Sequence, residues 1–196
     1  CKAAHADERR LVALWGCDER DRDAKHGFAL HLAFDLSPGL VCLTLPLPTD
    51  APQFPDLSLV FPAAERMQRA ARDLLGIQPD AGDQRPWLRH DNWPADHFPL
   101  RRDTPDKRFE AKNEDYAFVR VEGNGVHEIT VAPNDAGNNE PGHFRFSVMG
   151  ESVLRLEERL GWKHKGIERR FVGMGLAEGA KLAGRVSGDS TVAYAW

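Results

Sequence analysis

The sequence predicts an α+β protein, in which a helix-flanked sheet module is followed by a small antiparallel sheet that leads into a helix. Apolar and polar residues alternate along 26–36 and 39–47, which is the period of a half-buried strand. Residues 63–75 instead repeat their apolar positions at helical spacing. Alternation returns at 126–131 and 143–148. This order of elements predicts two separate sheets, the first one packed with helices.

Two helices are expected in the first module. Residues 7–16 combine an acidic first turn, an apolar side and a stop at Gly16. Residues 63–75 are mostly good helix formers, with Pro62 suited to the first turn and Gly76 to the cap. The apolar side of the earlier helix consists of Leu11, Val12, Leu14 and Trp15.

The strands are expected to form hairpins. Ser37, Pro38 and Gly39 supply a turn between the first two alternating segments, whose apolar residues then share one buried face. In the second module we predict strands at 116–121, 126–131 and 143–148, and 152–162 either adds a strand or opens a helix. The last segment, 175–196, reads as one helix rich in small residues. It has no stop signal, so we expect the natural protein to continue.

A proline-rich segment, 78–106, joins the two modules. It has five prolines among tryptophan, histidine and phenylalanine residues, which forbids a long helix or strand. Linkers are normally polar, so this aromatic content favours an extended segment pinned along a partner surface; the alternative is a plain interdomain linker. The domains are accordingly predicted at 1–105 and 106–196.

Composition excludes several functions. A net charge of −4 from 26 basic and 30 acidic residues does not suit a nucleic-acid binder. No apolar run is long enough to span a bilayer. The three cysteines form no CxxC pair, which favours reduced cytoplasmic thiols, and His90 and His97 lack the spacing of metal ligands. We therefore expect no metal site.

Two motifs in the second module resemble a known family. Glu140 to Phe146 reads EPGHFRF, and His164 to Glu168 reads HKGIE. At this spacing the two motifs resemble the start of the large, 49-kDa-like subunit shared by respiratory complex I and membrane-bound NiFe-hydrogenases. The resemblance implies a small antiparallel sheet that precedes a helical body.

The first module resembles a second complex I family. An amphipathic helix that ends ARDLLGI is followed by FPLRRD at Phe98 to Asp103. This arrangement is similar to the small hydrophilic, 30-kDa-like subunit, which is structural, docks against the large subunit and carries no cofactor. The fusion of both modules resembles the formate hydrogenlyase branch more than ordinary complex I.

One departure from the hydrogenase pattern concerns the metal ligands. NiFe-hydrogenases have a CxxC pair after an Arg-Val at this place, because soft thiolates hold nickel and iron. This chain has Ser187 and Ser190 there, so it is not expected to bind NiFe or to make or oxidise hydrogen. In complex I the corresponding cavity receives a quinone headgroup.

The resemblance to complex I then implies a set of candidate residues for quinone chemistry. A quinone needs hydrogen-bond donors and a proton source, roles suited to histidine or tyrosine with a carboxylate. His143 and Tyr194 are the candidate catalytic residues, and the cavity is expected to include Asp135, Ser187, Asp189 and Ser190. Each has a structural alternative: a surface histidine, a core tyrosine and a polar helix interface.

Two function classes remain open. In the first, the chain is a subunit of a membrane-bound NADH:quinone oxidoreductase or formate hydrogenlyase-like complex. It docks an iron–sulfur subunit and forms part of a quinone-facing cavity, peripheral on the cytoplasmic face of the inner membrane. It binds no cofactor itself; quinone and a partner-held iron–sulfur cluster belong to the complex. In the second, the chain is a structural adaptor or assembly module with no redox role.

Overall fold

The computed structural model describes residues 1–22, 27–36, 38–89, 93–105, 109, 118–131, 143–159 and 165–196. The chain divides into two compact units, Cys1–Phe109 and Glu110–Trp196. Both contain antiparallel sheets and short helices, so the predicted α+β class is confirmed. Within these described residues, no helix is long and apolar enough to cross a membrane.

The first unit is built on a three-stranded antiparallel sheet. Its strands are β1 (Leu11–Asp18), β2 (Phe28–Leu36) and β3 (Gly39–Leu47), in the order β1-β2-β3. The pairing of β2 with β3 closes at Leu36 and Gly39, as the predicted hairpin requires. The short helix α1 (Lys2–Ala6) precedes the sheet.

The helix predicted at residues 7–16 is wrong, because most of that stretch is strand β1. A register shift between Leu11 and Ala13 interrupts the alternation, so Leu11 pairs with Phe34 and Leu14 with Leu32. Leu11 and Leu14 are therefore both buried although they are three residues apart. A bulge in a strand thus produced the spacing of a helix.

The helix predicted at residues 63–75 is confirmed as α2 (Ala64–Leu75). Gly76 ends it with φ 74°, and its N–H donates to the Arg72 carbonyl. The helix packs on β1, where a Cβ added to Gly16 would lie 2.6 Å from the Ile77 Cδ1 atom. The buried core of this unit includes Phe28, Leu30, Leu32, Phe34, Phe54, Ala71, Leu75 and Ile77.

The buried face of the hairpin follows the prediction on β2 but only in part on β3. Phe28, Leu30, Leu32 and Phe34 are all buried. On β3, Leu47 is buried while the other predicted residues, Val41, Leu43 and Leu45, are about two-fifths exposed. Two short strands, β4 (Gln53–Phe54) and β5 (Gln78–Pro79), pair in parallel on either side of α2 in sequence.

The second unit contains a three-stranded antiparallel sheet, β6 (Val126–Val131), β7 (His143–Met149) and β8 (Ser152–Arg159). The strands predicted at 126–131 and 143–148 are confirmed, and 152–162 adds a strand. The strand predicted at 116–121 is wrong for residues 118–121, which have no strand structure, and its first two residues lie outside the described part.

The single helix predicted at residues 175–196 is also wrong. Helix α3 (Ile167–Arg170) is followed by α4 (Leu176–Ala183) and α5 (Thr191–Ala195). Between α4 and α5, Gly184 to Ser190 forms a turn in which the Thr191 hydroxyl donates to the carbonyls of Ser187 and Gly188. These local hydrogen bonds compete with helix continuation.

Candidate functional site

The proline-rich segment is held along helix α2 by one buried carboxylate. The Asp73 Oδ2 atom accepts hydrogen bonds from the backbone N–H groups of Trp87, Leu88 and Arg89, at 2.5, 2.9 and 3.3 Å. From the same helix, Arg69 donates to the carbonyls of residues 85 and 86, both at 2.8 Å. Side chains of α2 therefore satisfy five backbone groups of residues 85–89, which form no helix or strand.

The FPLRRD motif, 98–103, continues this attachment past the end of α2. The Leu100 N–H donates to the carbonyl of Leu74, and the Arg101 Nε atom donates to the carbonyl of Leu75 at 2.6 Å. These two carbonyls belong to the last turn of α2, which has no intrahelical donors for them. The motif thus caps the helix from a distant part of the sequence.

Arg101 also contacts two aromatic rings. Its guanidinium lies 4.3 Å from the ring centre of Phe98 and 5.1 Å from that of Phe28, a core residue of β2. Burial, and then the charge of Arg20, lower the pKa of Arg101. A guanidinium is still protonated in such a place, so the contact is a cation–π interaction with the core of the unit.

A charge cluster joins the end of the motif to the end of β1. The Arg20 guanidinium donates to the Oδ2 atom of Asp18 at 2.6 Å and to the Oδ1 atom of Asp103 at 2.6 Å. Arg102 adds a backbone N–H to Asp18 at 2.9 Å. We call these four residues, Asp18, Arg20, Arg102 and Asp103, the tail clamp.

Electrostatics in the tail clamp favour the ionised carboxylate. Burial by itself would raise the pKa of Asp18, whose side chain is 2% exposed. Hydrogen bonds from Arg20 and Arg102 outweigh burial and lower that pKa to about 2. The hydrogen bonds that Arg20 donates to Asp18 and to Asp103 raise the pKa of Arg20. Hydrogen bonding to Arg20 also lowers the pKa of Asp103, so both carboxylates of the clamp are ionised at neutral pH.

The sequence predicted a pinned segment, and the structure shows that its anchors lie within its own unit. A partner surface is not needed to hold it. Trp87 is 44% exposed beneath the guanidinium of Arg66, 4.7 Å from its ring centre, so the outer side of the segment still presents an aromatic surface. Docking of a partner on that side stays a prediction.

Of the two histidines in this segment, the structure describes His97. His97 makes edge contacts with the rings of Trp93 and Phe109, at 5.2 and 4.7 Å between centres. His90 lies outside the described residues. Among the described residues, no group of three or more His, Cys, Asp or Glu side chains is arranged to hold a metal ion.

In the second unit, the candidate His143 belongs to a polar face of the sheet. Its ring lies 4.9 Å from that of Phe118, and the Arg145 guanidinium lies 4.0 Å from the same ring centre. Arg145 also approaches Glu128 at 3.8 Å. The Nε2 atom of His143 and the Nε atom of Arg145 are buried without a hydrogen-bond partner in the described part of the chain.

An open cavity of about 860 Å³ lies next to this face. Its lining includes Phe118, Arg120, Glu128 and Arg145, but it does not include Ser187, Asp189, Ser190 or Tyr194. It is polar and charged, unlike the mostly apolar pockets that hold ring-shaped ligands.

The other candidates lie around α5. Ser187, in the middle of the turn, and Ser190, at its end, are half-buried, and Asp189 is exposed between them. Tyr194, on α5, is 55% exposed, which differs from a core tyrosine. Asp135 lies outside the described residues. Among the described residues, no hydrogen bond joins His143 to this turn or to Tyr194. Their convergence on one cavity stays a prediction.

Sequence reasoning missed the residues that hold the segment, Asp73 and the carboxylate–arginine pairs of the tail clamp. Asp18 and Asp103 are 85 residues apart (103 − 18), and no local pattern marks them as partners. The FPLRRD motif itself was a signal for such an attachment. Two adjacent arginines and an aspartate need carboxylate and carbonyl partners when they are held against a core.

The fold and the docked segment define an α+β module, and comparison with known proteins identifies its family. A family model described as "Respiratory-chain NADH dehydrogenase, 30 Kd subunit" matches residues 1–110. The chain therefore belongs to this family, and the resemblance seen in the first module is confirmed.

Individual relatives extend the similarity beyond that module. The chain is 32% identical over 187 residues to hydrogenase-4 component G of Escherichia coli (strain K12), covering 91% of this chain and 33% of that protein. Formate hydrogenlyase subunit 5 of the same organism is 31% identical over 188 residues, with the same coverage. The C/D subunit of NADH-quinone oxidoreductase from Rhodopseudomonas palustris (strain BisA53) is 26% identical over 187 residues, covering 81% of this chain and 32% of that protein. The chain spans about a third of the length of these relatives.

Proposed function

We propose that this chain is part of a subunit of a membrane-associated oxidoreductase complex of the formate hydrogenlyase or NADH-quinone oxidoreductase type. In such a complex the first unit docks an iron–sulfur subunit, and the second unit contributes to a quinone-facing, proton-coupling cavity. The observation that carries the proposal is the extent of the alignment. It covers 91% of the chain, whereas the 30-kDa family accounts only for residues 1–110.

The second unit supports an origin in the large subunit of such complexes. Its small antiparallel sheet, β6-β7-β8, is followed by the short helices α3, α4 and α5, the order that the motif resemblance implies. The described part of the EPGHFRF motif, His143 to Phe146, begins β7. The proposed subunit is therefore a fusion of a 30-kDa-like module with the start of a 49-kDa-like module.

The residues at the former metal position do not fit a NiFe centre. Ser187 and Ser190 offer hydroxyl groups, which are hard and weakly acidic donors compared with the thiolates that hold nickel and iron. The three cysteines, Cys1, Cys17 and Cys42, all lie in the first unit, and burial raises the pKa of the Cys17 thiol. We therefore assign no hydrogen chemistry to this chain.

Proton supply to a quinone is the role proposed for His143 and Tyr194. Two-electron reduction of a quinone to a quinol takes up two protons, one at each oxygen, so the site needs donors that can be recharged from solvent. The phenol of Tyr194 is accessible at 55% exposure, and the Nε2 atom of His143 has no competing partner in the described residues. Asp135, Ser187, Asp189 and Ser190 complete the proposed cavity.

The proposed location is peripheral, on the cytoplasmic face of the inner membrane, with iron–sulfur and membrane-embedded subunits as partners. The electrons would pass from a partner-held iron–sulfur cluster to the quinone, because none of the proposed site residues is a redox cofactor. The remaining two-thirds of the relatives' length would supply the rest of the cavity.

The test is affinity purification of the full-length protein from solubilised membranes, with mass spectrometry of its partners and metal analysis. Co-purifying iron–sulfur and membrane subunits, with iron but no nickel assigned to this chain, are expected. Tyr194→Phe should then abolish quinone reduction, while Tyr116→Phe, at the other tyrosine of residues 1–196, should retain it. Stoichiometric nickel would contradict the interpretation of Ser187 and Ser190.

A structural adaptor without a redox role is the second candidate. The intramolecular docking of the proline-rich segment favours it, because a module whose tail is already folded on its own helix has a ready-made surface for assembly. Assembly of the complex with full quinone reduction by Tyr194→Phe and His143→Gln variants would support the adaptor instead.

A further inference from the structure

A histidine lies on the outer face of the first sheet, the face turned away from α2. His31 is on β2, level with Trp15 on β1 and with Thr44 on β3. Leu14, the neighbour of Trp15 in β1, belongs to the core, whereas Trp15 itself is 41% exposed. The side chain of His31 is 17% exposed, so solvent protons reach the imidazole although most of the ring is covered.

Side chains of three described residues surround the imidazole of His31. Its ring stacks on the indole of Trp15, with ring centres 5.2 Å apart and planes inclined by 20°. Its Nδ1 atom is hydrogen-bonded to the Thr44 hydroxyl oxygen at 3.0 Å. Its Nε2 atom lies 4.0 Å from the Oε1 atom of Glu19, which is beyond the length of a hydrogen bond. The imidazole is thus held on two sides and has an open contact on the third.

Each of these neighbours suits a protonated imidazole. The face of an indole attracts a cation that lies within about 6 Å of the ring centre. The Thr44 hydroxyl can donate to Nδ1 of the neutral ring, and it can turn to accept from Nδ1–H of the cation. The Glu19 carboxylate can accept a charge-assisted hydrogen bond from Nε2–H. The open contact is therefore the one that the charge of the ring decides.

We propose that His31 is a proton-operated switch that closes the contact with Glu19. When the imidazole takes up a proton, the positive ring draws the Glu19 carboxylate in from 4.0 Å, while Trp15 and Thr44 keep the ring in place. Loss of the proton opens the contact again. Histidine side chains change charge between about pH 5 and pH 8. The switch lies in the first unit and does not rest on the proposed function.

Glu19 connects this contact to the tail clamp. It lies directly between Asp18 and Arg20, two of the clamp residues. The backbone N–H of Glu19 donates to the carbonyl of Gly27 at 3.0 Å, and its carbonyl accepts from the N–H of Arg22 at 2.8 Å. The side chain of Glu19 is 29% exposed, which leaves it room to move toward His31. Closing the contact therefore fixes the turn that carries Arg20.

The other ionisable groups on this face are the thiols of Cys17 and Cys42 and the carboxylate of Asp35, as far as the described residues go. Burial, and then the charge of Glu19, raise the pKa of the Cys17 thiol, so it stays neutral below about pH 8. Cys42 is two residues from Thr44 along β3, and Asp35 has its own arginine partner at 3.5 Å. Within the described part of the chain, the carboxylate that lies within 4.0 Å of His31 is that of Glu19.

The test is a pH titration of the 196-residue chain from about pH 5 to pH 7.5, followed by NMR of its N–H groups. The indole N–H of Trp15, assigned by its loss in Trp15→Phe, and the amide N–H of Arg20 should each shift in one step. Both steps should have the midpoint of the His31 ring signals. His31→Gln should abolish both steps. If neither step follows the His31 ring, the switch is overturned.

Matched variants separate His31 from the other histidines of the first unit. His5→Gln removes a ring that packs on Phe61, with centres 5.8 Å apart, and should leave both steps unchanged. His26→Gln, at the histidine nearest to Glu19 in sequence, should leave them unchanged as well. Steps that disappear in either variant would assign the titration to another histidine and overturn the proposal.

A variant of the carboxylate tests the connection to the clamp. Glu19→Gln should retain the Trp15 step, because His31 still takes up its proton against the indole, and it should lose the Arg20 step. An Arg20 step that survives in Glu19→Gln would contradict the role of Glu19. Unchanged amide signals from α2 show that each variant is folded.

Discussion

The two units of this chain differ in how they bury apolar surface. All the buried apolar side chains among the described residues belong to the first unit. The second unit has a regular sheet, yet Ile129 and Leu156, which flank Phe146 in the β6-β7-β8 ladder, are 51% and 46% exposed. Burial of apolar surface is the main favourable contribution to folding. The first unit therefore has its own core, whereas the described part of the second unit is held mainly by backbone pairing.

Sequence similarity to known subunits thus extends over both units, whereas among the described residues only the first unit has a buried apolar core. The first unit holds even its proline-rich segment by its own side chains, Asp73 and the tail clamp. The second presents an apolar sheet face, as expected of a part that is covered by other protein in an assembly. The predictions below test this contrast, beginning with the largest expected effect.

The sharpest test removes a phenylalanine from each sheet. Phe34→Ala should destabilise the first unit by about 3 to 5 kcal/mol, because Phe34 is 2% exposed and packs on Phe61 with ring centres 5.4 Å apart. Phe146→Ala, at a half-buried site in β7, should cost the second unit about 1 kcal/mol. Urea titrations followed by hydrogen exchange in α2 and β7 separate the units. Equal losses would contradict the contrast.

The tail clamp should come next in size. The Asp18→Asn substitution removes the buried carboxylate that pairs with Arg20. It should therefore destabilise the first unit by on the order of 3 kcal/mol. Amides of residues 99–105 should exchange faster in the same variant, because the segment loses an anchor. The matched control is Asp35→Asn, since Asp35 is 47% exposed and meets an exposed Arg10 at 3.5 Å. A loss as large in the control would show that the clamp has no special role.

The clamp also predicts a pH dependence. The pKa of Asp18 is about 2 in the folded chain, below the value near 4 of an unfolded aspartate. Its contribution is therefore present above about pH 4 and is lost as the pH falls toward 2, by about 2 kcal/mol in total. Urea unfolding between pH 5 and pH 2 measures this. The Asp18→Asn variant should lose less stability than the wild type over this window; parallel curves would refute the assignment.

The smallest expected changes in stability come from replacing two glycines with alanine. A Cβ added to Gly16 would lie 2.6 Å from Ile77 Cδ1 and 2.9 Å from Leu75 Cδ1, so Gly16→Ala should cost about 1 to 2 kcal/mol while those side chains shift. Gly188 has nothing within 4 Å of such an atom. Gly188→Ala should therefore change stability by less than about 0.5 kcal/mol. Thermal unfolding of both variants provides the comparison.

Sequence patterns located the elements whose signal is local. Helix α2 has apolar residues at regular helical spacing and a glycine cap. Apolar and polar residues alternate along β2, β3, β6 and β7, so each of these elements was predicted close to its bounds. The errors occurred where a local pattern was interrupted. The bulge near Leu11 imitated helical spacing, and Gly184 to Ser190 divided a segment whose small residues favour a helix. The motif FPLRRD indicated the family, which the comparison confirmed for residues 1–110.

The sequence by itself determined the α+β class, the elements with an uninterrupted period, and the family of the first unit, because these depend on neighbours along the chain. Only the tertiary structure decided which residues hold the proline-rich segment, since Asp18 and Arg102 are brought together across 84 residues. It also decided that α2 covers β1 but leaves β3 uncovered. Both outcomes depend on how whole elements pack, and packing is a property of distant residues that no local period records.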